Sequence, residues 1–399
     1  MLIGICGLAN QGKSTLFKAL TLMDVLIANY PFATIKPNHG VGFVKTDCVD
    51  TFFNTQCNPR EGFCIDHKRF VPVDVLDVAG LVPGAHEGKG LGNQFLDDLR
   101  QADAIIQVID ISGSTNEKGE PIELGTYDPI KKIRFLEEEI DYWYSDIITK
   151  GWERFARQVQ QEHADICRAL GKQLSGLKVT EEMVEGVVKK LNLDKSRHHL
   201  WNENDLRNIA QALRKITKPM VIAANKMDLP TSYENYEKIK KEFPEHIIIP
   251  CSAESELALK EAAKHQLIKY IPGTNDFEFI DNGKLNDKQK AALSFIRENI
   301  LQKYGSTGVQ DTLNRAVFEL LKYIAIFPGG VNKLTDQYGR VLPDCFLMPP
   351  GSTALDFAFR LHTDFGKHFI KAIDVKRKMP VGKDHVLQTG DVVEIHAGR

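Results

Sequence analysis

Cysteine is sparse in this chain and poorly disposed to pair: seven residues, an odd number, with no Cys-x-x-Cys arrangement. A secreted disulfide framework is therefore excluded, and a reducing compartment, by default the cytoplasm, is the expectation. Long apolar runs are also missing. No uninterrupted stretch approaches the ~20 residues that a membrane-spanning helix needs, and no basic segment precedes the apolar start, so neither an anchor nor a leader is expected. A charge excess is lacking too: 51 Lys and Arg against 53 Asp and Glu give a formal net charge of −2. The chain is thus no general coat for polyanions, and contact with nucleic acid has to use a local basic patch. Cys48, Cys57, Cys64 and His67 stand close enough to be considered as zinc ligands, yet their spacing follows no familiar zinc pattern, and buried or neutral free thiols are the expectation.

What is present is an ordinary globular composition, 43% hydrophobic and 26% charged, spread over 399 residues. A single core rarely grows past about 250 to 300 residues, so two or three domains are expected. The first motif comes at once. Residues 2–6 are apolar and run into glycine, which reads as a buried strand of a parallel sheet, and helical character follows over 15–22. Between them Gly7, Gly12, Lys13 and Ser14 fit GxxxxGK[ST] in the strand, loop, helix context that the pattern requires. Glycines allow consecutive backbone N–H groups to turn toward phosphate oxygens, helped by the positive end of the following helix. Gly7, Asn10, Gln11, Gly12, Lys13, Ser14 and Thr15 are the expected phosphate-loop residues. Lys13 would reach the β and γ phosphates, and the Ser14 hydroxyl would be one oxygen ligand of Mg²⁺.

A phosphate loop alone does not separate kinase, ATPase and GTPase. Further along, VDVLDV runs into AGL, a strand ending on Asp77 with Gly80 three residues later. Asp77 would hold Mg²⁺ through a water, and the Gly80 N–H would meet the γ phosphate. A strand over 219–224 then delivers Asn225, Lys226, Met227 and Asp228 at its carboxyl end, where α/β sheets bind ligands. A carboxylate at Asp228 accepts from both N1–H and the exocyclic amine of guanine, whereas adenine has no N1 proton, and sites of this kind reject the wrong analogue by about 10⁴ to 10⁵. Asn225 would tie the base loop to the phosphate loop, and the Lys226 stem would lie on the purine face. A strand over 247–250 leads to Ser252 and Ala253, where a backbone N–H would face guanine O6.

GLANQGKST, NYPFATIKPN, DVAGLVPGAHEGKGLGNQFL, NKMD and CSA together resemble the Obg family of P-loop GTPases, most closely its YchF-like branch, over most of the chain. The resemblance implies an α/β Ras-like G domain of the P-loop NTPase class with an inserted helical arm, and Mg²⁺-dependent, slow GTP hydrolysis. Residues 29–38 match the family's first switch, with Thr34 completing the Mg²⁺ shell, so Ser14, Thr34 and Asp77 form the implied metal set and Lys13, Thr34 and Gly80 the implied catalytic set. Residues 80–92 match the second switch, and its glycines suit an element that γ phosphate orders and hydrolysis releases. Leu81 stands where a water-orienting glutamine occurs in Ras-like proteins, so another group or a partner is implied for fast turnover. Asn10 matches the position at which related proteins bind K⁺, and His86 in the second switch is a further candidate near the γ phosphate. Some members of the branch resemble ATPases, but NKMD is retained here, which favours GTP. The alternatives carried forward are a YchF-like ATPase and an RNA-binding adaptor that uses nucleotide only structurally.

About a hundred residues separate the strand over 105–111 from the one at 219, too many for a simple crossover. Residues 128–215 carry helical spacing, for example Ile133, Leu136, Ile140 and Trp143, and read as long helices, either a coiled-coil arm or a packed bundle. Lys189, Lys190, Lys195, Arg197, His198 and His199 form a basic cluster there that could face RNA or simply water. The expected layout is a G domain over 1–272 interrupted by a helical insertion at about 113–215, connecting helices over 273–323 (286–304 and 312–323), and a C-terminal unit over 324–399. LMPPGSTALDFAFRLHTDFGKHFIKAIDV and LQTGDVVEI resemble the TGS domain, a small β-grasp module also found in threonyl-tRNA synthetases and stringent-response enzymes. Ser352 or Thr353 would cap its helix, and His362, Asp364 and His368 are read as exposed loop residues rather than ligands. The resemblance implies contact with RNA or ribosome, with Lys367, Lys371, Lys376, Arg377, Lys378 and Lys383 as candidate phosphate contacts, and no DNA specificity and no membrane partner.

Overall fold

The structure is a computed structural model that describes residues 1–21, 38–78, 80, 92–280 and 283–398. Strands β1 (Leu2–Cys6), β2 (His39–Asp47), β3 (Phe63–Ile65), β4 (Lys68–Asp77), β5 (Ala104–Asp110), β6 (Met220–Asn225) and β7 (Ile247–Pro250) form one sheet in the order β2-β4-β1-β5-β6-β7, with β3 added to β4. β1, β4, β5, β6 and β7 pair in parallel, and β2 runs antiparallel to β4. β5 and β6 are buried along their whole length, as continuous apolar strands covered on both faces must be.

The pleat divides their side chains between two cores. On one face Ile3, Ile5, Val73, Val75, Ile106 and Val221 meet α1 (Lys13–Thr21) and the helix Val309–Asn314 with its continuation Arg315–Leu320. That helix begins three residues before the expected 312 and, through Val309, Leu313, Ala316 and Val317, covers the sheet rather than merely connecting two units. Its start is fixed by Gly308, whose φ is +78° and whose added Cβ would stand 1.9 Å from the Pro250 carbonyl oxygen.

The opposite face carries α2 (Gly92–Gln101), α3 (Ile130–Thr149), α4 (Trp152–Gln161), α5 (Ile166–Gln173), α6 (Glu181–Lys190) and α7 (Glu203–Thr217). Of the two expectations for residues 128–215, the packed bundle is what forms, and the coiled-coil arm is corrected. Leu136, Ile140, Tyr144, Ile209 and Leu213 share one core with Leu76, Ile105 and Met220 of the sheet. The apolar stripes are too wide for a two-helix seam, and each fully buried Leu or Phe contributes about 1.5 to 3 kcal/mol against the sheet. Arg214, almost fully buried, ties α7 to α3 by donating from Nε to Asp141 (2.7 Å), with Glu137 3.4 Å from its Nη2. No helix among the described residues is long and apolar enough to cross a membrane.

After α8 (Ser232–Glu242), α9 (Ala253–Lys264) and the short pair β8 (Ile268–Lys269) and β9 (Glu278–Phe279), the chain ends in a second sheet. Strands β10 (Ile324–Pro328), β11 (Phe346–Met348), β12 (Phe369–Asp374), β13 (Met379–Val381) and β14 (Val392–Ala397) lie in the order β11-β10-β14-β12-β13, with the inner neighbours β10 and β14 parallel. Thr353, not Ser352, caps the helix Ala354–Leu361, in a reciprocal capping box with Asp356. This helix fills one face with Phe357; the other face lays Phe327, Leu342 and Val392 against Cys48, Val49 and Cys57 of the first sheet's β2–β4 region.

Candidate functional site

Gly7 follows β1, and its φ of +150° and a hypothetical Cβ 2.4 Å from the Val108 oxygen leave no room for a side chain. Gly12 is equally constrained: φ is +90°, and a Cβ would stand 2.2 Å from Asn225 Nδ2. The loop between them opens into α1. Lys13 is its first residue, and its ammonium donates to the Leu8 carbonyl (3.0 Å), folded back across the loop. Burial pushes the Lys13 pKa down, with Asp77 and Cys6 pulling it back up. The Gly80 backbone passes close by, since a Cβ there would lie 3.4 Å from Lys13 Nζ.

Ser14 Oγ donates to Asp77 Oδ2 at 3.3 Å. Asp77 is raised above the usual carboxylate range by burial, against the opposing pull of Lys13 and Ser14, and its Oδ1 is buried without a hydrogen-bond partner among the described residues. A hydroxyl beside a carboxylate with an unsatisfied buried oxygen is the donor set that a hard, oxygen-seeking Mg²⁺ takes. Thr34, Leu81 and His86 lie outside the described residues.

A cleft of about 340 Å³ adjoins the loop and is lined by Asn10, Gly12, Thr15, Asn225, Lys226, Asp228 and Glu254. Asn225 closes one side: its Nδ2 donates to the Gln11 carbonyl (2.9 Å) while its Oδ1 accepts from the Ala253 N–H (3.0 Å). Of the amides expected at guanine O6, the Ala253 N–H is the one that meets Asn225, and the Ser252 N–H donates to the Thr307 carbonyl (2.9 Å). The Ser252 hydroxyl does two other things. It caps α9 by accepting from Ser255 N–H, and it donates to Asp228 Oδ1 (2.8 Å), orienting that carboxylate at the cleft. Lys226 takes a left-handed φ of +68°, and its ammonium reaches Asp110 Oδ2 at 3.1 Å.

The residue that the sequence reading passed over is Asp110, at the carboxyl end of β5 and wholly buried. Ser112, Ser114 and Thr115 donate hydroxyl hydrogens to it, and Lys226 and Lys132 stand at 3.1 and 3.9 Å. These donors hold its pKa below the usual range in spite of burial, whereas burial pushes Lys132 down to about 8. The Gln11 side chain belongs to this hub, not to the cleft: Oε1 accepts from Asp110 N–H, and Nε2 donates to Thr115 Oγ1 (2.9 Å). An aspartate ending an apolar parallel strand and followed by Ile-Ser-Gly-Ser-Thr was the available signal. The hub also fixes Asn10, since the loop after β5 passes over the phosphate loop and Gly119 accepts from Asn10 Nδ2 (2.9 Å).

Comparison with known proteins agrees with this geometry. Residues 2–138 match the family model described as 50S ribosome-binding GTPase, residues 223–330 that of the Obg-like GTPase YGR210-like, G4 motif-containing domain, and residues 336–397 the TGS domain. An uncharacterised GTP-binding protein of Methanocaldococcus jannaschii is 49% identical over 99% of this chain and 98% of its own. The chain belongs to the Obg-like GTPase family, in its YchF/YGR210 branch. The crystal structure of a GTP-binding protein from Pyrococcus horikoshii OT3 is similar to this Obg-like chain over 100% of both, at 38% identity and a TM-score of 0.80. The ribosome-binding ATPase YchF of Buchnera aphidicola subsp. Acyrthosiphon pisum is 28% identical over 98% of this chain and 97% of its own.

The basic cluster of this Obg-like chain is partly consumed by structure. His198 is buried, its ring nitrogens on the Lys195 and Ala156 carbonyls; Lys195 pairs with Glu185, and Arg197 lies 3.7 Å from Asp194. Lys189, Lys190 and His199 are exposed. In the C-terminal unit Lys367, Lys371, Arg377, Lys378 and Lys383 are exposed, and Lys376 lies over the Phe52 ring (5.5 Å). His362 and Asp364 are exposed, and His362 caps the short helix Thr363–Lys367.

Proposed function

We propose that this chain is a Mg²⁺-dependent GTP-binding protein that hydrolyses GTP slowly to GDP and phosphate and uses the bound nucleotide to control association with the ribosome or another RNA. The observation that carries this reading is the Asp228 carboxylate, steadied by the Ser252 hydroxyl at the mouth of a cleft that Asn225 joins to the phosphate loop. A carboxylate there accepts from both guanine donors and offers adenine nothing to pair.

In this reading Gly7, Gly12, Lys13, Ser14 and Thr15 hold the phosphates, with Asn10 and Gln11 contributing loop backbone. Ser14 and Asp77, with Thr34, would hold Mg²⁺, which when bound would supply positive charge to offset that of the triphosphate. Lys13 offsets charge developing on the leaving β-phosphate oxygen as the bond to the γ phosphorus breaks. The Gly80 N–H donates to the γ phosphoryl group, and water supplies the new oxygen. Leu81 has no polar atom with which to orient that water, so turnover is slow without a partner. Association with ribosomes is supported by the name of the Buchnera relative and by the exposed lysines of the C-terminal unit.

ATP use is the second reading, favoured by that same relative's name. Competition of GTP and ATP for the nucleotide-free chain separates the two. Asp228→Asn should weaken GTP binding about a hundredfold or more, since hydrogen bonds to a charged group are worth about 1.5 to 3 kcal/mol each. It should also improve binding of xanthosine triphosphate, whose 2-carbonyl accepts from the new amide. Unchanged GTP preference in that variant contradicts the base assignment. Single-turnover rates in potassium and sodium salts test whether K⁺ acts beside Asn10; equal rates remove that part.

A further inference from the structure

The connection between β2 and β4 holds a side-chain cluster that nucleotide binding does not use. Cys48 follows β2, Cys57 lies in the loop beyond the turn Val49–Thr51, and Cys64 is in β3. Chain geometry turns all three inward on Asp50. Asp66 and His67, both with positive φ (48° and 58°), make the tight turn between β3 and β4, and the Cys48 N–H donates to the His67 carbonyl (2.8 Å), closing the connection. As a result one ligand atom from each of Cys48, Asp50, Cys57 and Cys64 lies within 4.8 Å of every other. Cys48 and Cys57 sulfurs are 3.4 Å apart, and Cys64 Sγ is 3.9 Å from Asp50 Oδ2.

We propose that Cys48, Cys57, Cys64 and Asp50 bind a single zinc ion that fixes the β2–β4 connection as the seat of the C-terminal sheet. A zinc–sulfur bond of ~2.3 Å in a tetrahedral site sets thiolates ~3.8 Å apart, which is the spacing this cluster approaches. A multi-iron cluster, whose cysteines ligate different irons, holds its thiolates further apart than this set allows. A disulfide needs sulfurs ~2.05 Å apart and leaves the third thiol and the buried carboxylate unexplained.

The surroundings suit such an ion. Three thiolates and a carboxylate carry four negative charges against two on the metal, and the buried Arg69 stands beside them, Nη1 3.6 Å from Cys57 Sγ. His67, a ligand candidate from sequence, takes an outer place instead: its Nδ1 lies 3.0 Å from Asp50 Oδ1, orienting the carboxylate as groups around metal ligands do. The Cys57 N–H donates to Asp50 Oδ2 (3.0 Å). Arg69 also donates to the Leu342 and Pro343 carbonyls (2.9 and 2.8 Å), so the same guanidinium joins the cluster to the C-terminal unit. The sequence pattern hid the set because its fourth member, Asp50, lies between the first two cysteines and is not a residue type that a Cys/His search reports.

The test is metal analysis of the full-length chain, purified reduced and dialysed against a weak chelator, followed by replacement with Co²⁺. About one zinc per chain and the intense visible bands of tetrahedral thiolate cobalt are expected. Cys64→Ser and Asp50→Asn should each lower zinc affinity at least tenfold, with cobalt bands weakened or shifted. Cys345→Ser, in the same apolar cluster but outside the set, should keep one zinc and the wild-type cobalt spectrum. No bound metal at micromolar zinc with three freely reactive thiols overturns the proposal, as does a Cys48–Cys57 disulfide, iron in place of zinc, or equal zinc loss in Cys345→Ser. Should the ligand variants fail to fold, wild-type metal content and the cobalt spectrum decide by themselves.

Discussion

Asp77 shows what burying a single carboxylate costs in stability. Burial raises its pKa above the ordinary carboxylate range, and Lys13 and Ser14 only partly offset this. The sign follows from linkage: the folded pKa exceeds the unfolded one, so the native chain holds this proton after the unfolded chain has lost it, and ionisation at neutral pH costs stability. Asp77→Asn removes that cost. Its nucleotide-free form should unfold at a higher temperature than wild type at pH 7, and the difference should vanish on acidification below the unfolded carboxylate pKa. The same variant should lose most of the gain in GTP affinity that Mg²⁺ gives. A lower unfolding temperature at pH 7, or undiminished Mg²⁺ dependence, contradicts this account. Asp77, Asn225 and Asp228 could be singled out in the sequence because strand ends in parallel sheets are ligand positions. Asp110 was not, because a buried hub is defined by Gln11, Thr115 and Lys132 arriving from separate parts of the chain.

Helices α3 and α7 carry the argument at the next scale. Their periodicity announced helices, but periodicity reports only that a helix has an apolar face, not what covers it. The cover is the sheet, through Leu136 and Ile140 on α3 and Ile209 and Leu213 on α7. Their polar contacts include Tyr144 with Thr217, Gln211 with Asp141, and the buried Arg214 with Asp141 and Glu137. Arg214→Ala leaves two carboxylates in a poorly hydrated contact and should destabilise the chain by about 3 to 5 kcal/mol, measured by denaturant unfolding. A loss under 1 kcal/mol would mean that the pair is hydrated in solution. The same packing explains why the basic cluster of 189–199 is smaller than its sequence implies: His198 is a core histidine, and a lysine and an arginine have acidic partners.

For the molecule as a whole, the question is how the C-terminal sheet is held on the nucleotide-binding unit. Arg69 on β4 donates to the Leu342 and Pro343 carbonyls, the Asn58 and Arg60 N–H groups donate to Val341 and Pro343, and Arg60 pairs with Asp344 at 2.9 Å. Apolar contact of Phe327, Leu342 and Val392 with Cys48, Val49 and Cys57 completes the junction. Arg69→Met keeps length and removes the charged donors, so it should loosen the junction: faster proteolysis between residues 329 and 345 and a larger radius in solution, with GTP affinity within about twofold of wild type. Unchanged proteolysis would show that apolar contact alone suffices.

The sequence by itself determined the family and its nucleotide-binding motifs. Short segments whose function needs particular backbone turns and side chains, such as Gly12-Lys13-Ser14 and Asn225 to Asp228, carry their meaning locally. The small C-terminal module was equally visible, through its resemblance to the TGS domain. Only the tertiary structure decided that residues 130–217 pack as a bundle, that the helix from Val309 covers a sheet, and that Cys48, Asp50, Cys57 and Cys64 face one another. Each of these depends on which surfaces distant segments bury together, and a hydrophobic or ligating residue is the same letter whatever partner it meets.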